Sequence, residues 1–131
     1  MVRKPKDVTD AELAVLRVLW QMNDATIGQI CDAVYGESSE SNYATVKKLL
    51  ARLRSKSYVE QDNSQRPHLF RAVVDEQGLL GMRLGALAEE LCSGSSVPLV
   101  KHLLENAKFS AKERRELRET IEAILQSKKT D

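Results

Sequence analysis

The chain is 131 residues long, 42% hydrophobic and 30% charged, and its formal net charge is +1. That balance describes an ordinary globular protein with one or two small cores, and an aromatic share of only 5% beside abundant Leu and Ala favours helices over a β-sandwich. A membrane span is excluded, since no apolar run approaches the roughly 18 residues it needs, and only the distribution of charge can point to a polyanionic partner.

The opening MVRKPKDVTD holds basic residues with no apolar stretch behind them, so no signal peptide is expected and a cytoplasmic location fits. TDAE at Thr9–Glu12 is a capping box, in which the Thr hydroxyl bonds the Glu N–H and the Glu carboxylate reaches back. Leu13, Leu16, Leu19 and Trp20 follow at helical spacing until NDAT ends the run. A second box, TIGQ at Thr26–Gln29, opens a short helix with Ile27, Ile30, Cys31 and Val34 on its inner side, and YGESSES breaks it.

The next stretch, SNYATVKKLLARLRSKSYVE, holds five Lys and Arg residues and no acid before its last position. Ser41 or Asn42 is the expected cap of a third helix, whose Val46, Leu49, Leu50 and Leu53 form an inward stripe. At about 100° per residue the opposite face carries Ala44, Lys48, Ala51 and Ser55, with Thr45, Lys47 and Arg52 on its flanks. A solvated helix ordinarily interleaves acids at i+4; this one has none, and its alanines keep the face low enough for close approach to a polyanion. YVEQD and HLFRAVV then read as two short strands joined by the polar NSQRP, with Arg66 at or near the tip. Three short helices followed by a hairpin is the order of a winged helix, with the third helix as reader and the hairpin as wing.

After Asp75 only helical signals remain. Asp75 caps a helix with Leu80, Leu84, Leu87 and Leu91 in one stripe, and Gly78, Gly81 and Gly85 inside it each cost about 1 kcal/mol relative to Ala, which suggests close approach by another backbone. SVP starts a further helix, and SAKE at Ser110–Glu113 caps a last one with Leu117, Ile121, Ile124 and Leu125. Three amphipathic helices in so short a stretch make a thin unit whose stripes need a partner, most simply a second copy of the chain. The expected fold is mainly α with a small β-hairpin: an N-terminal winged helix-turn-helix domain over residues 1–74 and a C-terminal helical dimerisation domain over 75–131. The dimer seam is assigned to Leu80, Leu84, Leu87, Leu91, Leu117, Ile121 and Ile124.

Enzyme chemistry has no motif here: no nucleophile stands with a base, and neither His68 nor His102 has a recognisable partner. Cys31 and Cys92 lie far apart without ligand spacing, so two buried, reduced thiols are expected and no metal or other cofactor. The rival binding reading is a winged-helix module that engages proteins without specific DNA binding.

VTDAELAVLRVLW, YATVKKLLARLRSKSYV and the late SAKERRELRETIEAIL resemble the penicillinase-repressor family, which also contains the methicillin-resistance and copper-transport repressors. The "AE…W" of the first helix and the "T…L..RL..K" of the third carry the resemblance most specifically. It implies a homodimeric winged-helix repressor whose two N-terminal domains read the halves of a dyad-symmetric double-stranded operator while the C-terminal helices interlock. It also implies that Thr45 lies at the reading surface, that Arg52 and Lys56 match the motif's arginine and lysine, and that Lys47 stands where a basic residue is common. Lys48 departs, because the well-known members place a threonine there. Ser41, Asn42 and Arg66 are assigned to backbone phosphates. A membrane sensor-protease upstream is implied by resemblance alone; the Asn-Phe bond it cuts in relatives falls at His102-Leu103 here, so the same cleavage is not expected. Nor is copper sensing, for want of the C-x-C pair.

Overall fold

The computed structural model describes residues 8–127. Residues 1–7, which belong to the opening stretch read for a signal peptide, lie outside that range. Among the described residues nine elements follow one another: α1 (Asp10–Met22), β1 (Asp24–Ala25), α2 (Ile27–Tyr35), α3 (Glu40–Ser55), β2 (Val59–Asp62), β3 (Leu69–Ala72), α4 (Glu76–Leu91), α5 (Val97–Asn106) and α6 (Ala111–Ser127). The architecture is mainly helical with a small antiparallel sheet, in the helix-turn-helix and wing order read from the sequence. The chain divides into two compact units between Gly94 and Ser95, each described by itself.

In the first unit, α1 and α2 begin where local chemistry says they should. Thr9 and Thr26 each accept a hydrogen bond from the N–H three residues on, while Glu12 and Gln29 accept from the backbone N–H of Thr9 and Thr26 at 2.9 Å. Both capping boxes thus satisfy donors that every helix start leaves orphaned. Gly36 ends α2 in the left-handed region at φ 82°, a conformation glycine adopts without a Cβ penalty.

The apolar stripes of the three helices converge on one core of Val15, Leu16, Leu19, Ile30, Val46, Leu50 and Leu53, none more than 1% exposed. Burying each such side chain is worth about 1.5–3 kcal/mol, which is what holds α3 with its leucines inward and its basic face outward. Cys31 lies in the same core as a free thiol; burial, followed by the nearby Asp32 carboxylate, pushes it above its usual range. Cys92 is also free but only half-buried, against the expectation of two buried thiols, because α4 ends beside it in an exposed turn.

α3 is not capped by Ser41 or Asn42. Ser39 is the cap, its hydroxyl accepting from the Asn42 N–H at 3.1 Å, and the helix starts at Glu40. Ser39, Ser41 and Asn42 are all competent caps; the turn after Gly36 brings Ser39 into extended backbone first, and Asn42 instead donates to the Glu37 carbonyl at 3.3 Å.

The other end of α3 closes with a Schellman motif. The Tyr58 N–H donates to the Leu53 carbonyl at 3.0 Å and the Ser57 N–H to the Arg54 carbonyl at 2.9 Å, with Ser57 at φ 65° and Leu53 and Tyr58 both buried. This turn aims the chain directly into β2. The sheet order is β1-β3-β2, all antiparallel. β1, absent from the sequence reading, is only two residues long, too short for any periodicity. It places Asp24 opposite Arg71 and Ala25 opposite Phe70. Arg71 of β3 bonds Asp24 at 2.8 Å and Glu60 at 3.1 Å, a charge ladder across the outer face, while Ala25 and Phe70 face the core.

Trp20 Nε1 donates to the Val74 carbonyl at 2.8 Å and fixes the exit from the sheet into α4, which Asp75 caps through the Gly78 N–H. α4 belongs to the first unit: Leu79 and Ala88 are buried, and Arg83 donates to the Val8 carbonyl at 3.3 Å. Its Leu80, Leu84, Leu87 and Leu91 are 39–74% exposed. Of its glycines, Gly78 faces its own cap, where an added Cβ would meet Asp75 Oδ1 at 2.9 Å; a Cβ added at Gly81 or Gly85 would meet nothing among the described residues within 4 Å beyond the helix's own backbone and the adjoining residues.

The second unit holds α5 and α6. Ser110 and Glu113 form the expected capping box, at 2.9 and 3.1 Å. No residue of either helix is buried; Val100, Leu103, Ile121 and Ile124 are all exposed, and Leu104, Phe109, Leu117 and Ile121 line an open groove of about 450 Å³.

Candidate nucleic-acid interface

The first unit presents one basic surface, built by the outer side of α3 and the loop between β2 and β3. Leu49, Leu50 and Leu53 anchor the helix, so the residues opposite them are held out by the same packing. Lys47, Lys48, Arg52, Ala44 and Ala51 are all exposed there. The side chains of Lys47, Lys48 and Arg52 make no hydrogen bond or ion pair with any described residue. Thr45 is exposed beside them; its hydroxyl donates back to the Ser41 carbonyl at 3.0 Å, which leaves the methyl group and oxygen lone pairs to meet a partner.

The N-terminus of α3 adjoins the same surface. Ser41, now its second residue, is exposed beside backbone donors free of intrahelical partners. Asn42 is tied to Glu37, and Glu40 brings a carboxylate to the same end.

The other two cations of the stretch are engaged within the protein. Lys56 Nζ bonds both carboxylate oxygens of the buried Glu12, at 2.7 and 3.0 Å. Arg54 Nη1 donates to Gln61 Oε1 at 2.6 Å, and Gln61 Nε2 lies 2.8 Å from His68 Nδ1 in the wing. Between this chain of bonds and the start of α2 runs an open groove of about 670 Å³, lined by Thr26, Tyr43, Lys47, Ala51, Arg66 and His68 among others. The groove brings exposed Arg66, assigned to the wing tip, alongside Lys47 of α3. At the near end of the wing, Asp62 accepts from Ser64, whose hydrogen bonds hold the carboxyl below its usual range.

Sequence reasoning missed Arg54, Gln61, His68 and Glu12 as participants. The first three depend on a turn that folds β2 back along α3, and no spacing signals it. Glu12 was read as half of a capping box, which it is; its second partner stands 44 positions away.

What this surface can do chemically is limited and specific. It offers permanent cations on a convex helix with low side chains between them, and a flanking arginine on a hairpin. Such a helix fits the major groove of duplex DNA, with the hairpin beside a strand. Among the described residues no group of three or more His, Cys, Asp or Glu is placed to hold a metal ion, and no helix is long and apolar enough to cross a membrane.

Comparison with known proteins points the same way. The family model described as Penicillinase repressor matches residues 8–123. A Penicillinase repressor of Bacillus licheniformis is 23% identical over 128 residues, which cover 98% of this chain and 99% of that one.

Proposed function

The chain belongs to the penicillinase repressor family, and from that premise we propose that it is a DNA-binding transcriptional repressor, which binds a dyad-symmetric operator as a homodimer and blocks transcription sterically. Nothing in such a role requires catalysis. The observation that carries the reading is the exposed outer face of α3: Lys47, Lys48 and Arg52 without intramolecular partners, alanines between them, and no acid from Ser41 to Val59.

In this reading α3 enters the major groove. Lys48 donates to guanine O6 or N7, Thr45 meets a thymine methyl or base edge, and Lys47 and Arg52 contact bases or the flanking strand. Arg66 on the wing and Ser41 at the helix start bind phosphates and set the register. Lys56 acts behind the surface, through Glu12. The second copy covers the leucine stripe of α4 and the apolar faces of α5 and α6, whose exposure in one chain is the reason to invoke it. Two reading helices about 34 Å apart then select half-sites one DNA turn apart.

The test is a set of binding titrations on the duplex that the wild-type chain enriches from a random pool and on its scrambled counterpart. Lys47→Ala, Lys48→Ala and Arg52→Ala combined are expected to abolish preference for the enriched duplex. Unchanged affinity for both duplexes would show that α3 is not the reading helix, and would leave the protein-binding alternative standing.

A further inference from the structure

The hydrogen bonds from Arg54 to the wing have a fixed direction. A guanidinium only donates, so the Gln61 amide must turn its oxygen to Arg54, 2.6 Å away. The amide nitrogen then faces His68 Nδ1 at 2.8 Å, and it too only donates. Nδ1 is therefore the acceptor, and a neutral His68 carries its proton on Nε2. The chain runs without a break from the last turn of α3, through the inward side of β2, to the residue that leads the wing into β3. It is a hydrogen-bonded connection between the basic helix and the wing, beside the buried packing of Val59 and Phe70 on the same helix, and it lines the groove that Arg66 and Lys47 also line.

We propose that this relay positions the wing: Arg54 and Gln61 are positioning residues that hold the hairpin against α3, so that Arg66 meets its phosphate while the helix occupies the major groove. The proposal deepens the operator reading and rests on it. Arg54 is thereby separated from Lys47, Lys48 and Arg52. It lies in the same basic stretch, yet one N–H of its guanidinium is committed to the protein's own amide. The β2–β3 ladder and the buried Val59 and Phe70 hold the strands in any case; without the relay the loop would still carry Arg66, but at more positions, and the ordering cost would fall on binding.

Two measurements test it. On the enriched duplex, Gln61→Leu removes no charge, yet it is expected to weaken binding about three- to tenfold, the range of one lost hydrogen bond. It is also expected to reduce the salt slope by about one unit, because the Arg66 contact goes with it. Placed on an Arg66→Ala background, the same substitution should change neither quantity further. Gln61→Leu at wild-type affinity and slope overturns the proposal, and so does a full additional loss on the Arg66→Ala background. Nitrogen-resolved NMR of the free protein is the second measurement and needs no DNA. The His68 proton is expected on Nε2 in the wild type, with that preference lost in Gln61→Leu; a proton on Nδ1 in the wild type overturns the relay. A wild-type chain that enriches no duplex defeats the operator reading instead, while the NMR result still decides whether the relay exists.

Discussion

Lys56 Nζ lies 2.7 and 3.0 Å from the two carboxylate oxygens of Glu12, which is itself 0% exposed. The same carboxylate accepts the Thr9 N–H at 2.9 Å, so one side chain caps the start of α1 and pins the end of α3. The two stretches that carry the family resemblance most specifically, the first helix and the third, meet at this pair.

Removing the ammonium leaves a carboxylate buried with only backbone and hydroxyl support. Lys56→Met is expected to destabilise the first unit by about 2–4 kcal/mol, somewhat less than for a fully buried pair because Lys56 keeps a quarter of its side-chain surface in water. The pH dependence has a definite sign. Burial raises the Glu12 carboxyl, but Lys56 and Thr9 outweigh it, and the group titrates below its ordinary value of 4.5. Its contribution is therefore complete above pH 4.5 and lost as pH falls through the lowered value. Urea denaturation across that range should show a steeper acid loss in the wild type than in Lys56→Met, where burial is no longer opposed by the ammonium.

Ser57 holds φ 65° at the position where helices usually place glycine. The left-handed region costs a non-glycine residue about 1–2 kcal/mol, against about 0.5–1 for the extra freedom glycine loses on folding. Ser57→Gly should therefore raise stability by roughly 0.5–1 kcal/mol. A lower melting midpoint for this variant would mean that the hydroxyl contributes something the Schellman geometry does not.

Lys48 and Arg66 are expected to fail in different ways. Arg66→Ala should weaken all duplexes alike and reduce the salt slope by about one unit. Lys48→Ala should cost about 1–3 kcal/mol on the enriched duplex and relax preference at one position per half-site. Titrations at several salt concentrations separate the two, and identical behaviour would remove the distinction between reader and clamp.

Leu87 and Ile121 are 39% and 40% exposed in the single chain, so a charge at either site should leave the fold intact. Leu87→Asp and Ile121→Asp are both expected to shift the chain from dimer to monomer in sedimentation. A variant that remained dimeric would take its position out of the proposed seam.

The sequence alone determined what local chemistry determines. The boxes at Thr9, Thr26 and Ser110 form because cap and acceptor are three residues apart, and α3 shows its basic face because four apolar residues at helical spacing have one side to bury. Where several local solutions were nearly equal, tertiary structure chose. Ser39 caps α3 in place of Ser41 or Asn42, and Leu79 with Ala88, not the leucine stripe, forms the buried side of α4. The fate of the five cations was decided wholly in three dimensions. Lys47, Lys48 and Arg52 stay without partners, while Arg54 and Lys56 are taken by Gln61 and Glu12. A residue's charge is written in the chain, but the partner that engages it is set by which distant segment the core brings within about 3 Å.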